Sequence, residues 1–283
     1  KANERSLNEA EVVAGWVESL RQQLGRFIDL DQGAGLLVNN LDWTRQLDVI
    51  AFLRDVGKHF SVNEMIRKES VRSRIEREGA GISFTEFSYM LLQSYDYMAL
   101  AERYDCVLQV GGSDQWGNIT AGMDLTRRML GKTVHALTLP LVTRSDGGKF
   151  GKTESGTIWL DARKTSPYSF YQFWINCADA DVPAYLRYFT FLEREALEAV
   201  VAESEADPGK RLGQQVLARE VTTLVHGEAG CAAAERITAA LFSGSLEALG
   251  ETDLAQLAQD GVPSAQFEDG SVFLGRVLTD FGL

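Results

Sequence analysis

The order of the elements between residues 83 and 142 places the strongest limit on the fold of this chain. A helix predicted over residues 83–104 leads into the apolar strand Val107–Val110, which runs directly into a glycine-rich turn. A second helix over residues 119–129 and a second strand over residues 136–142 follow. This alternation predicts an α/β domain with a parallel sheet.

The stretches that precede this segment have helical patterns. Apolar residues recur every three or four positions within residues 7–28, and Ser6 and Glu9 have the spacing of a capping box at the start of that helix. Residues 46–78 predict further helices, which end in a charged stretch. We therefore expect the amino-terminal part of the chain to be mainly helical.

The carboxyl-terminal part has no strand signals after about residue 165. Short polar turns separate its helix-like segments, and the pattern changes between residues 160 and 166. We therefore predict an α/β domain over residues 1–164, followed by an all-helical domain over residues 165–283. The helices predicted in the second domain are 167–177, 181–189, 193–203, 209–226 and 230–242, with a helical tail from residue 243 onward.

The charge balance limits the partners that this chain can bind. The 283 residues include 28 basic and 40 acidic ones, which gives a formal net charge of −12 and a pI near 4.8. Because so acidic a chain binds nucleic acid poorly in general, we expect any RNA contact to be local or to come from outside this chain. We expect neither a signal peptide nor a membrane span, because the apolar runs are far shorter than the roughly 20 residues that cross a bilayer. The expectation is a soluble cytoplasmic protein.

Three polar side chains form one stripe on the helix after Ser83. Tyr89, Gln93 and Asp96 stand at positions i, i+4 and i+7, with apolar residues around them. Buried polar groups need partners, since an unpaired one costs about 1–3 kcal/mol. The stripe is either an internal hydrogen-bond network, a partly exposed face, or the wall of a pocket for a small polar ligand.

The glycine-rich turn, Gly111-Gly112-Ser113-Asp114-Gln115, stands at the carboxyl end of the first strand. Ligands bind at such strand ends in open α/β sheets, and paired glycines let the backbone approach a sugar or phosphate closely. An acidic side chain there suits a ribose hydroxyl. The alternative is a tight turn in which Asn118 caps the next helix. The turn lacks the dinucleotide fingerprint Gly-x-Gly-x-x-Gly.

A second glycine-rich segment carries Lys149 and Lys152, three residues apart. Gly151-Lys152-Thr153 resembles the end of a P-loop, but Asp146 stands where a P-loop requires its first glycine. The lysines suit a mobile loop that closes on a triphosphate, or alternatively a solvated surface loop.

Taken in order, these motifs resemble those of bacterial tyrosyl-tRNA synthetase, a family of class I aminoacyl-tRNA synthetases. Residues 111–122 (GGSDQWGNITAG) look like its nucleotide-binding turn and helix, and Lys149-Phe150-Gly151-Lys152-Thr153 looks like its version of the Lys-Met-Ser-Lys-Ser loop. Residues 83–96 match its tyrosine-binding helix. The resemblance implies a Rossmann-like catalytic domain, incomplete at its amino end, over residues 1–164, and an α-helical domain over 165–283.

The resemblance also implies roles for individual residues. Asp96 would accept the hydrogen bond of the phenolic hydroxyl of tyrosine, Tyr89 and Gln93 would hold its ammonium group, and Gln115 would contact its carboxylate. Gly112 and Asp114 would bind the ATP ribose. The implied catalytic residues are Lys149, Lys152 and Thr153 of the lysine loop, with Lys1 and Arg5 of a second mobile loop. Asn40 matches a supporting residue near the site, and Phe84 would lie near the interface of a homodimer.

The implied activity is that of a tyrosine–tRNA ligase, which activates L-tyrosine with ATP and transfers it to tRNA(Tyr). ATP is then a substrate used with Mg²⁺, and no tightly bound cofactor is expected. The three cysteines and three histidines are too scattered for a disulfide framework or a metal site. Compared with the family, we expect the amino-terminal segment, with its His-Ile-Gly-His-type loop, and the carboxyl-terminal RNA-binding domain to lie outside this chain.

Three alternatives to this function remain open at this point. A tryptophan synthetase is the nearest, although Asp96 with Tyr89 and Gln93 favours a phenol over an indole. A non-catalytic paralogue that binds RNA or a metabolite would have no need of Lys149 and Lys152. A P-loop kinase is the weakest, because the glycine spacing does not fit.

Overall fold

A computed structural model describes residues 8–263, except 31, 34, 69–70, 73–74, 77–80, 149 and 154–155, and gives the backbone alone at 152, 153 and 156. Two compact units make up these residues. One is Leu36–Val142, and the other consists of the described residues within Lys1–Gly35 and Thr143–Leu283. The boundary between the two domains predicted from the sequence, after residue 164, stays a prediction.

The unit Leu36–Val142 contains the parallel sheet that the sequence predicts. Strands β1 (Leu108–Gly112) and β2 (His135–Leu139) pair in parallel, with Leu108 opposite His135 and Gly112 opposite Leu139. Helix α6 (Trp116–Leu130) makes the crossover between the two strands. The other helices of this unit are α2 (Leu41–Thr44), α3 (Val49–Asp55), α4 (Val62–Arg67) and α5 (Phe84–Arg103).

Helices α5 and α6 pack against each other to form the centre of this unit. Tyr97 of α5 and Ile119 of α6 are both buried in one apolar cluster. A Cβ atom at Gly122 would stand 3.0 Å from Cβ of Tyr97, so the small residue lets the two helices approach closely. The phenolic hydroxyl of Tyr97 donates to the carbonyl of His135 and so ties α5 to β2. Positions on α5 and α6 are therefore fixed relative to each other.

The capping box predicted at the start of α5 is confirmed. The Ser83 hydroxyl accepts from the backbone N–H of Glu86, and the Glu86 carboxylate accepts from the backbone N–H of Ser83. The helix ends at Arg103, one residue before the predicted end. The other predicted box is not tested, because Ser6 lies outside the described residues.

In the other unit, the described residues after residue 165 form helices, as predicted. A short antiparallel hairpin of β3 (Lys152–Thr153) and β4 (Gly156–Thr157) precedes them. Helix α1 (Ala10–Leu24) is shorter than its apolar pattern suggests. The later helices are α7 (Pro167–Ile175), α8 (Val182–Phe189), α9 (Arg194–Ala206), α10 (Leu212–Ser243) and α11 (Glu251–Gln259).

Helix α10 is interrupted at Gly227, whose φ of 75° and ψ of 171° lie outside the helical region. Only glycine adopts such angles readily. This break agrees with the interruption predicted between residues 226 and 230. Within the described residues, none of the helices combines the length and the apolar character that a bilayer crossing requires.

Candidate active site

The carboxylate of Asp96 is held by two N–H donors from a distant part of the sequence. Its Oδ1 accepts a 2.8 Å hydrogen bond from Nε1 of Trp43, and its Oδ2 accepts a 3.1 Å bond from Nδ2 of Asn40. Because Trp43 is only 2% exposed, packing fixes the indole donor in place. A carboxylate has about four acceptor positions. Two positions therefore remain on Asp96 for the O–H or N–H group of a ligand.

Trp43 is absent from the residues predicted from the sequence. It stands at the end of the run Asn39-Asn40-Leu41-Asp42-Trp43, but 53 residues separate it from Asp96 and no periodicity links the two. Asn40, three residues before Trp43, was singled out by the resemblance and was the available signal in this run. Their convergence on one carboxylate is visible only in the fold.

A chain of side-chain amides links α5 to the glycine-rich turn. Nδ2 of Asn118 donates to Oε1 of Gln93 over 2.9 Å, and Nε2 of Gln93 donates to Oε1 of Gln115 over 3.2 Å. Nε2 of Gln115 in turn donates to Oδ2 of Asp114 over 3.0 Å. The structure thus brings together three of the predicted ligand-binding residues, on two elements that the sequence separates by about twenty positions.

The alternative in which Asn118 caps the following helix is wrong. Helix α6 begins at Trp116 with Gln115 as its N-cap residue, and no side chain makes a capping bond there. Asn118 lies within the first turn instead and points its amide at Gln93. A 3₁₀ turn, Ser113–Gln115, joins β1 to α6, and the helix therefore begins three residues before the predicted start at residue 119.

Gly112 supplies space where β1 meets this turn. Its φ of −70° suits any residue, so its conformation does not require glycine. A Cβ atom there would stand 2.7 Å from Oδ1 of Asp114 and 2.9 Å from Cδ2 of Leu141, closer than real Cβ contacts. The missing side chain therefore leaves room for the Asp114 carboxylate beside the strand end.

The stripe on α5 combines two of the alternatives raised by the sequence. Gln93 and Asp96 are half-buried members of hydrogen-bond networks, whereas the Tyr89 side chain is 58% exposed. Tyr89 lies one turn before Gln93, so the stripe runs from an exposed ring to an internally bonded carboxylate.

A half-buried lysine, also absent from the sequence prediction, lies against the start of α6. Nζ of Lys68 donates a 2.8 Å hydrogen bond to the backbone carbonyl of Gly117. Burial lowers the pKa of the Lys68 ammonium, and the nearby carboxylates of Glu64 and Asp124 oppose that shift. This contact ties the residues after α4 to the helix that carries Asn118.

The lysine loop belongs to the other unit. The backbone of Lys152 pairs with Thr157 and that of Thr153 with Gly156, while Lys149, Lys1 and Arg5 lie outside the described residues. Next to them, the ring of Phe150 lies 5.0–5.9 Å from four aromatic rings of α7 and α8. Those four rings belong to Phe173, Trp174, Tyr185 and Phe189.

A second contact holds the start of this loop. The backbone N–H of Ser145 donates a 2.7 Å hydrogen bond to Oδ1 of the buried Asp181, the residue that precedes α8. The hydrogen bond of Ser145 and the ring of Phe150 therefore both attach this segment to the helical bundle.

Comparison with known proteins connects this geometry to a family. Residues 1–243 match the family model described as tRNA synthetases class I (W and Y). A protein of Aliivibrio fischeri strain MJ11 named tyrosine–tRNA ligase is 62% identical over 281 residues, which are 99% of this chain and 66% of that protein. One of the same name from Neisseria meningitidis serogroup C is 58% identical over 95% of this chain and 63% of its own length.

Solved structures show the same similarity. A C-terminally truncated mitochondrial tyrosyl-tRNA synthetase of Aspergillus nidulans has a TM-score of 0.69 at 29% identity, over 85% of this chain and 71% of that one. Tyrosyl-tRNA synthetase of Archaeoglobus fulgidus, solved with L-tyrosine, has a TM-score of 0.59 at 16% identity, over 79% of this chain and 75% of that one, and shows the fold alone. This chain spans slightly less than two thirds of the curated relatives' length. It belongs to the class I tRNA synthetases of the tryptophan and tyrosine (W and Y) group.

Proposed function

We propose that this chain forms part of a tyrosine–tRNA ligase, which activates L-tyrosine with ATP and transfers it to tRNA(Tyr). The names of its relatives support tyrosine over tryptophan within the family. The amide chain and the anchored Asp96 carboxylate supply the polar groups that a small zwitterionic ligand needs in one unit of the protein.

The observation that carries this proposal is the fixed carboxylate of Asp96. Trp43 and Asn40 hold it from two directions and leave acceptor positions that match a phenolic hydroxyl. A ligand without that hydroxyl, such as phenylalanine, would cover the half-buried carboxylate and leave its remaining acceptor positions unpaired, which is unfavourable. The site therefore selects through the cost of an unpaired group.

The reaction needs no covalent catalyst from the protein. A carboxylate oxygen of tyrosine attacks the α-phosphorus of ATP, the new O–P bond forms as the bond to pyrophosphate breaks, and pyrophosphate leaves with the electron pair. Catalysis then consists of alignment and of stabilising charge on the departing phosphates. Gln93 and Tyr89 would hold the ammonium group, Gln115 the carboxylate, and Gly112 with Asp114 the ribose.

We assign the charge stabilisation to the basic loops. Lys149, Lys152 and Thr153 would contact the pyrophosphate, together with Lys1 and Arg5. Within the described residues no group of three or more His, Cys, Asp or Glu side chains is placed to hold a metal ion. Mg²⁺ is usually held by substrate phosphates with one or two carboxylates, so the ion would arrive with ATP, and no step here depends on it.

The proposed function extends to a cytoplasmic homodimer that binds tRNA(Tyr). Phe84, at the start of α5, is 78% exposed, which suits a residue covered by a second copy. Because the chain carries a net charge of −12, its own tRNA contacts would be confined to local basic groups.

Replacement of Asp96 by Asn tests the proposal. The amide keeps the shape of the carboxylate but loses its charge and half of its acceptor capacity. We expect tyrosine-dependent ATP–pyrophosphate exchange to fall at least about tenfold in kcat/KM, with the preference for tyrosine over phenylalanine reduced. Asp105→Asn is the matched control, because that side chain is 90% exposed and faces Lys132. Equal tyrosine preference in Asp96→Asn and the wild type would overturn the assignment.

A further inference from the structure

The amide chain between Asn118 and Asp114 has a direction, and one of its members has no role in the proposed reaction. Each Gln side chain offers N–H donors on one arm and an acceptor oxygen on the other. Asp114 can only accept, so it requires the nitrogen of Gln115. The oxygen of Gln115 then requires the nitrogen of Gln93, and the oxygen of Gln93 requires a donor, which Asn118 provides.

The position of that donor is set by the backbone. Asn118 is the third residue of α6, and Gln93 lies on α5. The two helices approach closely because Gly122 of α6 has no side chain that would collide with Tyr97 of α5. Lys68 holds the first turn of α6 through the carbonyl of Gly117. The Asn118 amide therefore stands at a fixed distance from Gln93.

The direction of the chain matches the roles proposed for its members. The oxygen of Gln93 accepts from Asn118 and keeps one acceptor position for an ammonium group. The nitrogen of Gln115 donates to Asp114 and keeps one N–H for a carboxylate. If the amides were reversed, the oxygen of Gln115 would face the carboxylates of Asp114 and of the substrate, which is repulsive.

We infer that Asn118 is a positioning residue for amino acid binding, which fixes the orientation of the Gln93 and Gln115 amides without touching the substrate. This inference rests on the proposed function. Its distinctive consequence concerns Asn118→Asp, which makes both ends of the chain acceptors. The nitrogens of Gln93 and Gln115 would then turn outward to the two carboxylates, and their oxygens would face each other.

A comparison of Asn118→Asp with Asn118→Ala in the full-length protein tests the inference. We expect the KM for tyrosine in ATP–pyrophosphate exchange to rise about tenfold or more in Asn118→Asp, and by a smaller factor in Asn118→Ala, which removes the donor without opposing it. A negative charge in the first turn of a helix interacts favourably with the helix dipole, so the Tm of Asn118→Asp should stay within about 2 °C of the wild type. Binding would thus weaken while stability does not.

Asn39→Asp is the matched control. Its Oδ1 accepts from the backbone N–H of Leu41, a bond that a carboxylate makes equally well, so this variant adds the same charge to the same unit without reversing any amide. We expect its KM for tyrosine to equal that of the wild type.

Two results would overturn the role of Asn118 while the wild type remains active with tyrosine. One is an unchanged KM in Asn118→Asp, and the other is a larger effect in Asn118→Ala together with a fall in Tm, which indicates packing alone. A wild-type protein without tyrosine-dependent exchange would instead overturn the proposed function, and the inference with it.

Discussion

The indole Nε1 of Trp43 donates a 2.8 Å hydrogen bond to Oδ1 of Asp96 and joins helix α2 to helix α5. The indole is buried, so the donor is held by packing rather than by its own flexibility. The bond therefore orients the carboxylate that we propose as the acceptor of the tyrosine hydroxyl.

Trp43→Phe should weaken tyrosine binding without unfolding the protein. Phenylalanine keeps most of the buried ring but removes the N–H, so Asp96 retains only the Asn40 donor. A lost hydrogen bond to a charged group costs about 1.5–3 kcal/mol, and we expect the KM for tyrosine to rise about tenfold or more. Trp16→Phe on α1, where the side chain is 52% exposed, should leave that KM unchanged. Equal KM values in the two variants would contradict the role of Trp43.

Gly112→Ala should affect ATP more than tyrosine. The added methyl group would stand 2.7 Å from Oδ1 of Asp114, so this carboxylate must move away from the strand end. We expect the KM for ATP to rise at least about fivefold, which corresponds to about 1 kcal/mol. Gly117→Ala is the control, because a Cβ atom there meets only Cδ of Lys68, at 3.8 Å. If the two variants had the same KM for ATP, the close approach at Gly112 would not matter for binding.

Phe150→Ala should loosen the lysine loop. The ring packs among four aromatic side chains of α7 and α8, and its removal leaves a cavity in that cluster. Phe→Ala in a well-packed site costs about 3–5 kcal/mol, and we expect about 2–3 kcal/mol here because the ring is half-buried. If Lys149 and Lys152 act on the departing pyrophosphate, kcat should fall more than the KM for tyrosine rises.

Phe191→Ala provides the comparison, since that side chain is 87% exposed and should change the unfolding free energy by less than about 0.5 kcal/mol. Chemical denaturation measures both variants. Similar free energies of unfolding would show that the aromatic cluster does not anchor the loop.

His226 should make the stability of its unit depend on pH. Burial, and secondarily the charge of Arg26, lower the pKa of its imidazole from 6.5 to about 4. As the pH is lowered, His226 of the unfolded chain therefore takes up a proton near pH 6.5, whereas His226 of the folded protein does so only near pH 4. The contribution of His226 to the free energy of unfolding should fall across this window, by about 2 kcal/mol after allowance for solvent screening, and be constant above it.

Denaturation of the wild type and of His226→Gln at several pH values checks this expectation. The variant should lose most of the slope between pH 6.5 and 4, because Gln does not titrate. The same slope in both proteins would assign the pH dependence to other groups.

Local signals in the sequence were sufficient for the order of the helices and strands between residues 83 and 142. Ser83 and Glu86 are three residues apart, and their reciprocal bonds need only a helix start, so the beginning of α5 could be predicted. The break in α10 at Gly227 likewise falls in the gap predicted between residues 226 and 230. The start of α6 at Trp116 was not predicted, because no side chain caps this helix and the sequence therefore carries no capping signal there.

Local signals also allowed part of the site to be predicted. The spacing of Gln93 and Asp96 on one helix face follows from helical periodicity, and the glycine-rich turn is a continuous segment. Trp43 and Asn118 were not predicted as site residues, because their importance comes from bonds to side chains on other elements. Such contacts have no counterpart in the periodicity of a single sequence.

The most direct test of the central claim is ATP–pyrophosphate exchange by the full-length protein with tyrosine, phenylalanine or tryptophan as the only amino acid. The anchored Asp96 carboxylate predicts exchange with tyrosine, little with phenylalanine, which lacks the hydroxyl, and little with tryptophan. Exchange that depends on tryptophan, or equal exchange with tyrosine and phenylalanine, would contradict a tyrosine-selective ligase.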